Sequence, residues 1–109
     1  MASIDLRSEW LAIIHHILAT HLPEAEVLAY GSRVTGTAHD GSDLDLVVRN
    51  PHKPMIPVHN LGEFRDAFSE SNLPILVDIL DWARIPDSFR EEIERVGGVV
   101  FAGEVGRLA

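Results

Sequence analysis

Tyr30-Gly31-Ser32-Arg33-Val34-Thr35-Gly36-Thr37-Ala38-His39-Asp40-Gly41-Ser42-Asp43-Leu44-Asp45-Leu46-Val47-Val48 is the stretch on which the reading of this chain turns. An apolar run from Glu26 to Tyr30 stops at the small-residue turn Gly31-Ser32, and a second run from Asp43 to Arg49 follows after ten intervening residues. Both runs have the length and composition of strands. Residues i and i+2 of a strand share a face. The pattern therefore predicts Asp43 and Asp45 on one face of the second strand, with Leu44 and Leu46 on the other. Two carboxylates on one strand face make a poor core and a good ligand pair for a hard divalent cation such as Mg²⁺. A plainer reading treats Asp40-Gly41-Ser42-Asp43 as a polar lead-in that caps the strand. It covers Asp43 better than Asp45, which lies among Leu44, Leu46 and Val47.

Outward from this stretch the chain alternates helix and strand. Leu6, Trp10, Ile13, Ile14, Ile17 and Leu18 recur at three- and four-residue steps, predicting an amphipathic helix over Ile4 to His21 with Ser3 or Asp5 as its cap. His15, His16 and His21 fall in its second half and read as solvated, since adjacent helix positions diverge by about 100°. Downstream of Arg49, prolines at 51, 54 and 57 keep the connection irregular. Leu61, Phe64 and Phe68 then mark a second helix, opened by a capping box of Asn60 and Glu63. Ile75 to Leu80 is a third strand with Asp78 at its centre. A last helix runs from about Asp87 to Val96 and is stopped by Gly97-Gly98. Val99 to Phe101 is expected to add a short strand, and the tail from Gly103 to be loose or a partner contact. The order predicts a single α/β domain over 1–109, with helices packed on a three- to four-stranded mixed sheet.

Composition narrows the class. The 109 residues carry 9 Lys and Arg against 17 Asp and Glu, a formal charge of −8 with no basic cluster. Nucleic-acid contact relies on cationic side chains neutralising phosphates, so direct nucleic-acid binding is not expected. An acidic protein that handles a polyphosphate needs a metal ion between them. Cysteine is absent, which rules out a disulfide frame and thiolate metal ligands. No basic leader precedes an apolar segment, and the apolar runs fall short of the roughly 18 residues of a membrane span. A cytoplasmic protein without membrane contact is the expectation.

Three components make up the candidate site. At Gly31-Ser32, glycine permits a sharp turn and close approach of a ligand, while the Ser32 hydroxyl and nearby amides can donate to phosphate oxygens. A short helix starting near Arg33 would turn its positive end the same way. Asp43 and Asp45 are the second component. Asp78 is the third, because an unpaired carboxylate buried in mid-strand costs several kcal/mol, about 3–5 when a partner is missing. The competing accounts are a buried ion pair of Asp78 with Arg33 or Arg84, and Asp81 in its place. Asp81 lies three residues on and points to the opposite face. Three carboxylates beside a phosphate-cradling turn suit a two-ion phosphoryl-transfer centre.

Gly31-Ser32, ten intervening residues and Asp43-Leu44-Asp45, with Asp78 on the third strand, resemble the signature of the nucleotidyltransferase superfamily related to DNA polymerase β. The resemblance spans roughly Val27 to Phe101, and the short chain is similar to the minimal nucleotidyltransferases. It implies Mg²⁺ (two ions) on Asp43, Asp45 and Asp78, and ATP as donor at Gly31 and Ser32. It further implies an antitoxin that moves AMP onto a tyrosine hydroxyl of a partner HEPN-family ribonuclease toxin. An antitoxin that neutralises by complex formation alone, and an aminoglycoside-type small-molecule nucleotidyltransferase, are the alternatives. Arg33 reads as a phosphate contact or a surface residue, His39 as a substrate-facing or solvated loop residue, and Gly36 as serving backbone geometry.

Overall fold

The computed structural model describes residues 4–102, with side chains described up to Gly98. Ser3 and the tail from Gly103, both singled out in the sequence, lie outside the described residues. Helix α1 (Ser8–His21) leads into strand β1 (Glu26–Tyr30), the short helix α2 (Ser32–Thr35) and strand β2 (Leu44–Arg49). Helix α3 (Leu61–Ser69), strand β3 (Val77–Asp81), a 3₁₀ turn (Trp82–Arg84), helix α4 (Asp87–Val96) and strand β4 (Gly98–Ala102) complete the order. The four strands form one sheet in the order β3-β2-β1-β4. Strands β1 and β2 pair antiparallel, as do β1 and β4, while β2 and β3 run parallel. Parallel neighbours require a crossover, and the segment carrying α3 provides it. The sheet is therefore mixed, as the sequence predicts.

Strand alternation divides the apolar residues between two layers. One face carries Val27, Ala29, Leu44, Leu46, Val48 and Ile79, packed against Ile14, Ile17 and Leu18 of α1 and Phe64 and Phe68 of α3. The other face carries Leu28 and Val47 under Trp82 and Ile93, with Leu80 and Phe89 at the margin. Helix α4 covers that second face only in part. The uncovered end holds the polar residues discussed below.

Two helix starts differ from the sequence reading. Helix α1 begins at Ser8, with Arg7 as its cap residue and no side-chain cap bond. Asp5 does not cap it, because its amide instead donates to the carbonyl of Arg33 at 2.7 Å and holds that segment away from the helix. Asn60 precedes α3 in the left-handed region (φ 66°) and makes no side-chain cap bond, so the Asn60–Glu63 capping box does not form. Gly97 stops α4 as predicted, through close packing: a Cβ there would lie 2.6 Å from the Ile93 carbonyl oxygen and 2.7 Å from that of Ala29.

Candidate active site

Strand pairing assembles the site from three separate segments. Tyr30, the last residue of β1, is the register partner of Asp45 on β2, and Asp45 is the register partner of Asp78 on β3. Directly opposed residues of neighbouring strands put their side chains on the same face. Tyr30, Asp45 and Asp78 thus form one row across three strands, on the face that α4 leaves partly open. Asp43 stands one residue before β2, in exposed chain.

The turn after β1 closes directly onto this row. Gly31 has φ 80° and ψ −158°, a region open to little besides glycine. A Cβ at Gly31 would overlap Oδ2 of Asp45. Glycine is therefore required twice, for the backbone angle and for the contact. The amides of Val34 and Thr35 both donate to the Gly31 carbonyl, at 3.0 and 3.1 Å, winding the chain into α2 from Ser32 onward. Helix α2 ends at Gly36 in the left-handed conformation (φ 88°), the backbone role read for that glycine.

Electrostatics tie the row together. The carboxyl of Asp45 is held above its ordinary value, first by partial burial, then by the negative charges of Asp78 and Asp43. The Tyr30 phenol is held above its ordinary value by burial first, then by Asp45 and Asp78. Its ring meets Phe89 edge-on, with centroids 5.4 Å apart. Three carboxylates and a phenol share this patch, and repulsion among the carboxylates favours a bound cation.

Among the described residues, no three Asp, Glu or His side chains close on a point tightly enough to enclose an ion by themselves. That openness fits Mg²⁺, which takes one or two carboxylates and fills its remaining positions with substrate phosphates and water. A cleft of about 320 Å³, lined by His21, Asn50, Ile56 and His59 among others, lies beyond the far end of β2 and includes none of the three aspartates.

Asp78 is brought to Asp45 as expected, but the reason given for it is corrected. It is exposed, on the edge strand β3, whereas α4 packs against β1. Asp81 is the buried one: its carboxylate accepts from the amides of Val58 (3.1 Å) and Ala83 (3.2 Å) and lies 3.6 Å from the Arg84 guanidinium. It caps the 3₁₀ turn on the opposite face, and Arg84 serves it rather than Asp78.

Arg33 is neither a surface residue nor presented to a phosphate. It is buried, and its guanidinium donates to the carbonyls of Asp5, His39, Asp40 and Ser42. His39 is exposed in that loop, with Nδ1 accepting from the Gly41 amide at 3.2 Å. His15, His16 and His21 lie exposed along α1. The sequence reading missed Tyr30 as a neighbour of the aspartates and Arg33 as the anchor of their loop. The alternation of Leu28 and Tyr30 hinted at the first once the β1–β2 register is known. No local pattern signalled the second.

The chain resembles known proteins along most of its length. Residues 1–94 match the family model of the poly(A) RNA polymerase, mitochondrial-like, central palm domain. The chain is 45% identical over 101 residues to the probable protein adenylyltransferase MntA of Haemophilus influenzae, across 91% of this chain and 85% of that protein. It shares its fold with a chain in the crystal structure of a toxin-antitoxin with AMP-PNP, at a TM-score of 0.67 and 20% identity, covering 87% of this chain and 75% of that one.

Proposed function

The chain belongs to the minimal nucleotidyltransferases of the protein adenylyltransferase family, and from that premise we propose that it is an antitoxin that transfers AMP from ATP to a tyrosine hydroxyl of a cognate HEPN-family ribonuclease toxin. The observation that carries this reading is the row Tyr30–Asp45–Asp78, met at one end by the Gly31-Ser32 turn and flanked by Asp43. The MntA relative, named a protein adenylyltransferase, supports the reaction type. The toxin-antitoxin structure with AMP-PNP is in keeping with a partner and an adenine nucleotide.

In this reading Asp43, Asp45 and Asp78 hold two Mg²⁺ ions, and Gly31 and Ser32 receive the triphosphate of ATP. Bound there, Mg²⁺ supplies positive charge for the phosphates and eases loss of the acceptor's proton. The partner's hydroxyl oxygen bonds to the α-phosphorus, the bond to the bridging oxygen breaks, and pyrophosphate leaves with its electron pair. Asp78, exposed beside Asp45, is the group on this chain best placed to take the hydroxyl proton. Gly31, lacking a side chain, leaves the room that the Asp45 carboxylate occupies against the turn, and so brings that carboxylate next to the Gly31-Ser32 phosphate site. The acceptor enters from the uncovered end of the face. Among the described residues no helix is long and apolar enough to cross a membrane, and we place the reaction in the cytoplasm, where ATP and the toxin's RNA substrate meet.

The test is intact-mass measurement of the co-encoded partner after incubation with ATP, Mg²⁺ and the full chain. A gain of one or more AMP units is expected, lost with Asp43→Asn or Asp45→Asn. An unmodified partner, with the wild-type chain folded and Mg²⁺ and ATP in excess, would rule the reading out. Full neutralisation by the double Asn variant would assign the antitoxin effect to binding alone.

A further inference from the structure

Asp43 lies outside the sheet ladder. Strand β2 begins at Leu44, whose amide donates to the Leu76 carbonyl at 2.9 Å, so strand pairing does not fix the main chain before it. The loop that delivers Asp43 is held from inside the fold by one side chain. Arg33, 4% exposed, donates from one terminal nitrogen to the carbonyls of His39 (3.1 Å), Asp40 (3.0 Å) and Ser42 (3.0 Å). Its Nε reaches Ser42 again at 3.3 Å, and the other terminal nitrogen donates to the Asp5 carbonyl at 3.0 Å. The Asp5 amide returns a bond to the Arg33 carbonyl at 2.7 Å, and the Trp10 ring lies 5.5 Å from the guanidinium.

A buried guanidinium is costly unless its donors are met. Here four carbonyls meet them, and three of those belong to the residues just ahead of Asp43. The loop cannot shift without leaving a buried cation unsatisfied.

We propose that Arg33 is a positioning residue for the divalent cation: it fixes the path of residues 39–42 and so the distance of Asp43 from Asp45 and Asp78. This rests on the reading of those aspartates as cation ligands. Its fork is what matters, since the three donors of a lysine ammonium on a flexible stem cannot reproduce a planar set aimed at four carbonyls. Ser42 acts in the same loop, its Oγ accepting from the His39 amide at 2.9 Å.

The test is Mn²⁺ binding to the full chain in the presence of a non-hydrolysable ATP analogue, read from the electron paramagnetic resonance of free Mn²⁺. Wild type, Arg33→Lys and Ser42→Ala are compared at a temperature where circular dichroism shows each folded. Arg33→Lys is expected to weaken Mn²⁺ about 10- to 100-fold, the usual loss when a group supporting a metal ligand is removed. Ser42→Ala should give a smaller loss in the same direction, with KM for ATP at saturating metal unchanged in both. A purely structural role would lower Tm and leave the folded protein's Mn²⁺ affinity at the wild-type value, and that result overturns the proposal. If Arg33→Lys does not fold, Ser42→Ala decides by the same criterion. Failure of wild type to bind Mn²⁺ would remove the aspartate reading and this proposal together. Unchanged binding in folded Arg33→Lys removes only the proposal.

Discussion

Gly31 and Asp45 are in contact across β1 and β2 so closely that the smallest side chain at residue 31 would overlap the Asp45 carboxylate. The backbone angles at Gly31 add a second penalty, of order 1–3 kcal/mol for a residue with a Cβ. Gly31→Ala is therefore expected to lower Tm by several degrees in a chain of this size, with about 4–8 °C lost per kcal/mol. It should also displace Asp45 and abolish AMP transfer. Gly36→Ala provides the contrast: it shares a positive φ, but a Cβ there has nothing within 4 Å. That variant should lose stability and keep activity. Thermal denaturation combined with label transfer separates the two.

Asp45 sits in a site that destabilises the protein around it. Its carboxyl is raised in the folded state by burial and by Asp78 and Asp43, so folding favours the protonated form. Such a group contributes stability that is fully present below its unfolded value, about 3.9, and is lost as pH rises through the higher folded value. Asp45→Asn should thus raise the neutral-pH stability of the metal-free protein, modestly, because solvent screens this partly exposed group. The advantage should shrink as pH falls below the carboxylate range. Mg²⁺ with ATP should stabilise wild type and leave Asp45→Asn unmoved. Denaturation curves with and without Mg²⁺-ATP check both halves of the prediction.

Tyr30 is the single tyrosine in the chain, so its ionisation can be followed directly by absorbance. Burial and the two aspartates raise its phenol in the folded state. The associated stability is intact below the unfolded value of about 10 and is lost as pH rises beyond it. Wild type should lose stability in alkali more steeply than Tyr30→Phe. Asp45→Asn should bring the phenolate transition to lower pH, by removing one of the charges that raise it. A tyrosine that titrates at its ordinary value in the folded protein would contradict the row as described.

How much of this was legible beforehand depended on the range of the interactions involved. Alternation and turn residues act locally, so β1, the Gly31-Ser32 turn, β2, the last two helices and the β4 run could be read along the chain. The pairing of Asp45 with Asp78 depends on a parallel register set by the whole sheet. Only the isolated charge in Ile75 to Leu80 hints at it, and the burial inferred from that charge does not hold, since β3 is an edge strand and its place in the sheet is set by long-range pairing. Arg33 was illegible for a similar reason. Its four acceptors are main-chain carbonyls at 28, 6, 7 and 9 residues' separation, and carbonyls carry no sequence signature. The absent side-chain caps at Arg7 and Asn60 show long-range bonds and backbone conformation overriding local preference.

Asp78 and Asp81, three residues apart on β3, should separate catalysis from stability when each is changed alone. Asp78 is exposed beside Asp45 and, among the described residues, makes no hydrogen bond or ion pair whose loss would strand a partner. Asp78→Asn should therefore leave Tm near or above wild type while lowering AMP transfer at least about 100-fold, the scale of losing a positioned acid–base group. Asp81 does the reverse. It is 5% exposed and satisfies the amides of Val58 and Ala83 while pairing with Arg84. Asp81→Ala removes a cap and leaves two part-buried amides without their acceptor, a loss of about 2 kcal/mol, yet the protein that remains folded should retain its specific activity. Measuring Tm and specific activity for both variants tests the assignment, and a folded, fully active Asp78→Asn would remove the third carboxylate from the site.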